Sequence, residues 1–426
     1  MIKLFKKHLN WEGIKNSIFK NTFWLTLSEL FIRWSGLLIT ILIARFLWVE
    51  EFWKFSFALT FVWLIWIISD FWLSSLIIKD ISRDKKKLNY YITNIIYIKI
   101  FLGIFLLIIL YPIIYSLWFM SDIYILYSAT LYIILNGFLN IFRSIFKAVQ
   151  KNEYDTKLQF INGILLLLLV SPLIVYKSSI AIIFLWYTLV SILILFFSIS
   201  FVNKLLWLKY KTIDYILIKK LLYKSWPFLL SSICIFIYYF ADSILLYMFK
   251  WEYEVWIYSA WYKILTLLIA PIWIYSFSLF PVLSKSFKEK KLDLNIKKIL
   301  INNIKYIFFI SMLITLFIIF FSKYIIIFMY WKEYIESIYI LQLLIISWFI
   351  IANSSIVGIS LQAFDEQKMY FIVTLLWAFL NIYLNFLFIP KYSIIWAAIA
   401  TIFTDLLVWI LLYYIFYKKV LSKYKV

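Results

Sequence analysis

Among the ionisable side chains in or at the ends of this chain's long apolar stretches are Glu29, Arg33, Asp70, Lys99, Arg143, Lys147, Asp242, Lys263 and Asp405. A charge at membrane depth costs roughly 3 kcal/mol or more, so each is a candidate for function. The cations Arg33, Lys99, Arg143, Lys147 and Lys263 could hold an anionic group through charge-assisted hydrogen bonds. Glu29 and Arg33 are four residues apart, on one helical face, and read either as a self-neutralising pair or as a pair lining a polar passage. Arg143 and Lys147 have the same spacing, and either receive an anionic head group at the membrane edge or snorkel to lipid phosphates. The acids Glu29, Asp70, Asp242 and Asp405 read as proton- or cation-coupling sites, or as structural acids bonded to a neighbouring helix or to a cation such as Lys263. Other chemistries lack their residues. With His8 the sole histidine and Cys234 the sole cysteine, no histidine metal cluster, histidine relay or internal disulfide is available. No P-loop, zinc motif or nucleophile constellation occurs, so the expectation is no enzyme, no cofactor and no direct use of ATP.

What must position these residues is a set of membrane helices. Hydrophobic residues make up 65% of the 426, charged residues 15%, and the mean hydropathy is +0.95. Ordinary globular chains run at about 45–50% and about 25%. A bilayer helix needs about 20 apolar residues. Twelve such stretches occur: 22–46, 53–78, 88–116, 120–146, 157–176, 180–202, 225–248, 255–282, 299–322, 334–361, 368–389 and 394–417. With the N-terminus in the cytoplasm, 31 Lys and Arg face the cytoplasm and 6 face the opposite side, which predicts a multi-pass protein of the cytoplasmic (inner) membrane with both termini cytoplasmic. The net charge of +21 then reports topology, and no nucleic-acid partner is expected. The first apolar stretch is too long for the h-region of a signal peptide.

The octapeptide Phe46-Leu47-Trp48-Val49-Glu50-Glu51-Phe52-Trp53 recurs in part as Phe249-Lys250-Trp251-Glu252-Tyr253-Glu254-Val255-Trp256, six spans later. Both copies follow the first helix of a six-helix half, so the halves run parallel. The predicted fold is all-α: twelve transmembrane helices in two parallel six-helix lobes around a central cavity. The expected divisions are a cytoplasmic segment 1–21, an N-lobe 22–202, a cytoplasmic linker 203–224, a C-lobe 225–417 and a basic tail 418–426. Prolines 227, 271 and 281 fall in or near spans 7 and 8, where they can bend the helix.

Tryptophan is abundant and glycine scarce, 21 against 6. At the usual share of about 7%, a chain of this length would carry roughly 30 glycines. Trp48 and Trp53 stand at a junction that suits positive φ, and Trp63, Trp66, Trp377 and Trp409 lie deep within spans. Trp396 interrupts a small-residue face. The hypothesis is that many of these positions are glycine, encoded by UGA in an AT-rich genome and read as tryptophan; UGG codons at 48, 53, 251, 256 and 396 would rule it out.

The chain resembles the polysaccharide (O-antigen-type) flippases of the multidrug/oligosaccharidyl-lipid/polysaccharide exporter superfamily. The resemblance rests on Asn21-Thr22, Ala44-Arg45-Phe46-Leu47 with Glu50-Glu51, Asp70-Phe71-Trp72-Leu73-Ser74-Ser75, Trp226-Pro227, Asp242-Ser243, Tyr258-Ser259-Ala260 and Ile389-Pro390-Lys391-Tyr392-Ser393. It spans about residues 20–415, with glycine expected at 48, 53 and 72. The resemblance implies a transporter that flips an undecaprenyl-pyrophosphate-linked oligosaccharide from the inner to the outer leaflet by alternating access, alongside polysaccharide assembly proteins. It gives the intramembrane cations an anionic substrate. The rivals are a multidrug or peptidoglycan-lipid-precursor exporter of the same fold, and a membrane polysaccharide polymerase or ligase, which would need a large extracytoplasmic loop.

Overall fold

The structure, a computed structural model, describes residues 11–47, 49–70, 72–116, 122–208, 211–249, 252–288, 294–330 and 335–422. The described elements are helices. α1 (Trp11–Phe46), α2 (Val49–Asp70), α3 (Leu73–Arg83), α4 (Leu88–Ser116), α5 (Ile123–Ala148), α6 (Asn152–Val175) and α7 (Ile180–Leu206) precede a short connection. α8 (Tyr215–Phe249), α9 (Glu252–Lys288), α10 (Leu294–Tyr330), α11 (Ser337–Ala363) and α12 (Gln367–Phe416) follow. Eleven segments are long and apolar enough to cross a membrane among the described residues. The protein is an all-α, polytopic membrane protein.

One expected boundary needs correction. The stretch 53–78 is not one helix: Trp72 takes a left-handed conformation (φ 52°), which ends α2 and starts α3. α3 is buried nearly all round, from Leu73, Leu76 and Ile77 to Lys79, Asp80 and Ile81. The last two spans part near 390–393 as expected, although helical backbone runs through the junction in α12. Residues 20 apart on a straight helix lie about 30 Å apart. Yet Asn381 Nδ2 is 3.4 Å from Thr401 Oγ1, and Trp377 Nε1 is 2.8 Å from Asp405 Oδ1. The chain therefore doubles back near Pro390, where the missing N–H releases the i−4 carbonyl. Its two arms are Gln367–Tyr392 and Ile394–Leu421. The stacked rings of Phe388 and Trp396 (5.2 Å) close the bend.

The chain divides into two compact units, Met1–Trp226 and Pro227–Val426. In the first, α5 packs against α7, α2 and α3, while α1 pairs with α6. In the second, α11 packs against α12, α10 and α9. If α2 and α3 count as one span, α5 and α11 are both the fourth span of their half. The hub position thus repeats. Both hubs bury small residues that admit close neighbours, Ser128, Ala129 and Gly137 in α5 and Ser347, Ala352 and Ser360 in α11. The octapeptide repeat is only partly visible, since Trp48, Lys250 and Trp251 lie outside the described residues. α7 ends at Leu206 and α8 begins at Tyr215, so helix covers much of the stretch expected as a linker.

Candidate functional site: two ways of burying charge

In the first unit the nominated charges meet partners of opposite sign. Lys99, on α4, is 2% exposed, and its Nζ donates to Asp70 Oδ1 at 2.9 Å and to the Ser69 carbonyl at 2.9 Å. Asp70 ends α2 and also accepts from Ser74 Oγ at 2.8 Å. Gly137 makes room for this pair: a Cβ there would come within 3.0 Å of Ser69 Oγ and 3.4 Å of Lys99 Nζ. Arg143, on α5, donates through Nε to Asp155 Oδ1 at 2.7 Å, and the Gln159 amide oxygen, oriented to accept, lies 2.7 Å from the same nitrogen. Lys147, one turn on, shares the electrostatic neighbourhood of Asp155, Glu29 and Asp70.

Arg33 and Glu29 form a looser pair at 3.7 Å. They differ from the others in exposure, with 52% and 40% of their side chains accessible, although they sit near the middle of the span Ile18–Ile43. Arg45, at the end of α1, is exposed. The structure therefore brings Glu29, Asp70, Lys99, Arg143 and Lys147 into one unit. The acid that anchors Arg143 is Asp155, which the sequence reading did not single out.

In the second unit the acids have no cationic partner among the described residues, and the Lys263 side chain lies outside them. Asp242 accepts from Tyr258 Oη (2.7 Å), Asn385 Nδ2 (2.6 Å) and Thr401 Oγ1 (2.9 Å). Asn385 also donates to Asn381 Oδ1 at 3.1 Å, and its own Oδ1 is buried without a partner. Asp405 accepts from Tyr238 Oη (2.9 Å), Trp377 Nε1 (2.8 Å) and Ser347 Oγ. Asp242 is 2% exposed, and so is Asp405.

The two sites interlock. α8 carries a donor and an acid four residues apart, Tyr238 and Asp242, and the second arm of α12 carries Thr401 and Asp405 at the same spacing. Tyr238 bonds Asp405 and Thr401 bonds Asp242, so the helices exchange donors. A small pocket of about 10 Å³, room for about one water, lies among Tyr238, Asp242, Tyr258, Ser347 and Thr401. Asn381, Asn385 and Thr401 were missed from the sequence. Their signal was polar side chains recurring every four residues, Asn381 with Asn385 and Thr401 with Asp405, in otherwise apolar spans. Among the described residues, no group of three or more His, Cys, Asp or Glu gathers to hold a metal ion.

Comparison with known proteins supplies the context. The family described as polysaccharide biosynthesis protein matches residues 18–287. No curated protein sequence matches the chain. Among solved structures, an outward-facing multidrug resistance MATE family transporter of the MOP superfamily superposes with a TM-score of 0.82 at 15% identity, covering 97% of each chain. A MATE transporter in complex with MaD3S gives 0.81 at 15% identity, covering 96% of each. A Vibrio cholerae MATE transporter gives 0.79 at 15% identity, covering 97% of this chain and 99% of that one.

Proposed function

The chain belongs to the polysaccharide biosynthesis protein family, and from that premise we propose that this membrane exporter flips a lipid-linked oligosaccharide between the leaflets of the cytoplasmic membrane. The observation that carries the reading is the exposed Glu29–Arg33 pair midway along a membrane span. Acyl chains cannot solvate such a pair, so the face of α1 that bears it lines a water-filled passage. A sugar head group can cross there while its lipid tail stays in the bilayer.

Lys99, Arg143 and Lys147 place further cations in the same unit for an anionic diphosphate linkage. In this reading the carboxylates of Asp70, Asp155 and Glu29 hold the cations when no substrate is present, and an entering diphosphate competes for them. Asp242 serves as the coupling site. Tyr258, Asn385 and Thr401 surround it with uncharged donors, so the buried carboxylate gains from a proton or cation that arrives from outside.

The protein is reconstituted in vesicles and movement of a fluorescent lipid-linked oligosaccharide to the far leaflet is followed. Arg33→Gln is expected to lower the rate at least about tenfold, the size of losing one charge-assisted contact. An unchanged rate overturns the substrate assignment to this passage. Asp242→Asn is expected to remove the dependence on an imposed proton or sodium gradient. The runner-up is multidrug export, which the MATE-like fold favours. It predicts gradient-driven efflux of cationic dyes and no movement of the oligosaccharide lipid.

A further inference from the structure

We propose that the outward face of the first turns of α8 seats the headgroup of an anionic phospholipid. Tyr215, Ile216, Lys219, Lys220 and Tyr223 follow the spacing of one helical face. Ile216 is 82% exposed, Tyr215 71% and Tyr223 62%, and both lysines are exposed. The opposite face is fixed. Leu221 is fully buried, and Leu217, Ile218 and Leu222 pack on the core of the first unit. Polar ties add to this: Lys224 Nζ lies 3.3 Å from Asp80 Oδ2, and the backbone N–H of Asp214 donates to Asn94 Oδ1 at 2.8 Å. The outward stripe therefore cannot turn inward without breaking that packing.

The stripe has the chemistry of a membrane surface. Ile216, Lys219, Lys220, Leu222 and Tyr223 line a shallow groove. Apolar bodies with polar tips match the boundary between headgroup and acyl chain, and paired ammonium groups complement a lipid phosphate. The adjacent carboxylate, Asp214, is committed to the backbone N–H groups of Ile216 (2.9 Å) and Leu217 (3.1 Å) at the helix start. Lys211, four residues before Tyr215, holds its ammonium 5.6 Å above the Tyr90 ring.

Length places the stripe at the right depth. α8 has 35 residues, about 52 Å at 1.5 Å each, against a hydrocarbon core of about 30 Å. Some of the helix therefore lies beyond the hydrocarbon, and Lys219, Lys220 and Lys224 mark the first turns as the end in the headgroup layer. A free phosphate would use the lysines and leave Ile216 and the two tyrosines without a role, and this favours a lipid over a soluble anion.

Native mass spectrometry of the full chain in detergent, with short-chain phosphatidylglycerol, phosphatidylcholine or inorganic phosphate added, tests the proposal. The protein is expected to retain phosphatidylglycerol in preference to phosphatidylcholine. Lys219→Gln/Lys220→Gln is expected to weaken that retention about thirtyfold, since each lysine near the surface contributes roughly a factor of five. Lys219→Arg/Lys220→Arg is expected to keep it, which separates lost charge from a disturbed fold. Equal retention of both lipids, displacement of phosphatidylglycerol by inorganic phosphate, or a Gln/Gln variant that binds like the parent protein each overturn the proposal. Lipid retention is read without transport, so the outcome is independent of which substrate is flipped.

Discussion

The two units bury ionisable groups at similar depth and neutralise them differently. In the first, Lys99 answers Asp70 and Arg143 answers Asp155, so each pair is close to neutral as a whole. In the second, Asp242 and Asp405 are surrounded by hydroxyl, amide and indole donors that carry no formal charge. An ion pair resists the removal of either partner, whereas a carboxylate among neutral donors gains most from a proton or cation that arrives from outside. The contrast sets standing ion pairs in the first unit against rings of uncharged donors in the second.

The largest test of the contrast is Lys99→Met. It leaves Asp70 buried without its cation and is expected to cost about 3–5 kcal/mol in unfolding experiments in detergent. Lys99→Met with Asp70→Leu is expected to regain most of that loss, because neither charge is then orphaned. The corresponding change in the second unit, Asp242→Asn, is expected to shift stability by only about 1 kcal/mol, since an amide still accepts from Tyr258 and Thr401. If Asp242→Asn proves as costly as Lys99→Met, the distinction between the units fails.

Next comes Trp377→Gly. Trp377 is stacked on Tyr238 with ring centroids 3.8 Å apart and donates to Asp405. Truncation is expected to cost about 3–5 kcal/mol as a void plus a lost donor. A tolerated Trp377→Gly would instead show that the neutral ring around Asp405 closes over water, and would class 377 with the glycine positions discussed below. Gly163→Ala is smaller. A Cβ at 163 would meet Phe31 Cε1 at 2.6 Å, where α1 packs on α6, and overpacking of this kind costs roughly 1–3 kcal/mol. Thermal unfolding reads both.

The all-α membrane architecture was legible because twelve apolar runs and a one-sided Lys/Arg distribution both act through the bilayer, which reads composition directly. The acids Asp70, Asp242 and Asp405 stood out for the same reason. Their partners did not. Asp155 lies in the first turn of α6, where an acid is ordinary at a helix start, so nothing in the local sequence marks it as the anchor of Arg143. Asn385 and Thr401 meet at Asp242 because α12 doubles back, and the sequence showed two spans there without showing that both face the same acid. Polar spacing of four residues was visible, but which helix it faces is a property of packing.

The smallest expected effect concerns backbone strain, and its sign is opposite. Trp72 and Trp207 are both left-handed with φ 52°, at the break between α2 and α3 and at the end of α7. A side chain in this conformation costs about 1–2 kcal/mol, and glycine removes that cost. Trp72 bears a second penalty, since its Nε1 is buried without a hydrogen-bond partner; Trp348 and Trp409 share that defect. Trp207 is 80% exposed and has little packing to lose. Glycine also frees the unfolded chain, which offsets up to about 1 kcal/mol. Trp72→Gly and Trp207→Gly are therefore expected to raise stability by about 1 kcal/mol each, seen as a small upward shift of the unfolding midpoint. A gain at 72 and 207 beside a loss at 377 would separate tryptophans that strain the backbone from one that completes a site. A loss at all three would mean the chain is fitted to its indoles, and the glycine hypothesis would fall with it.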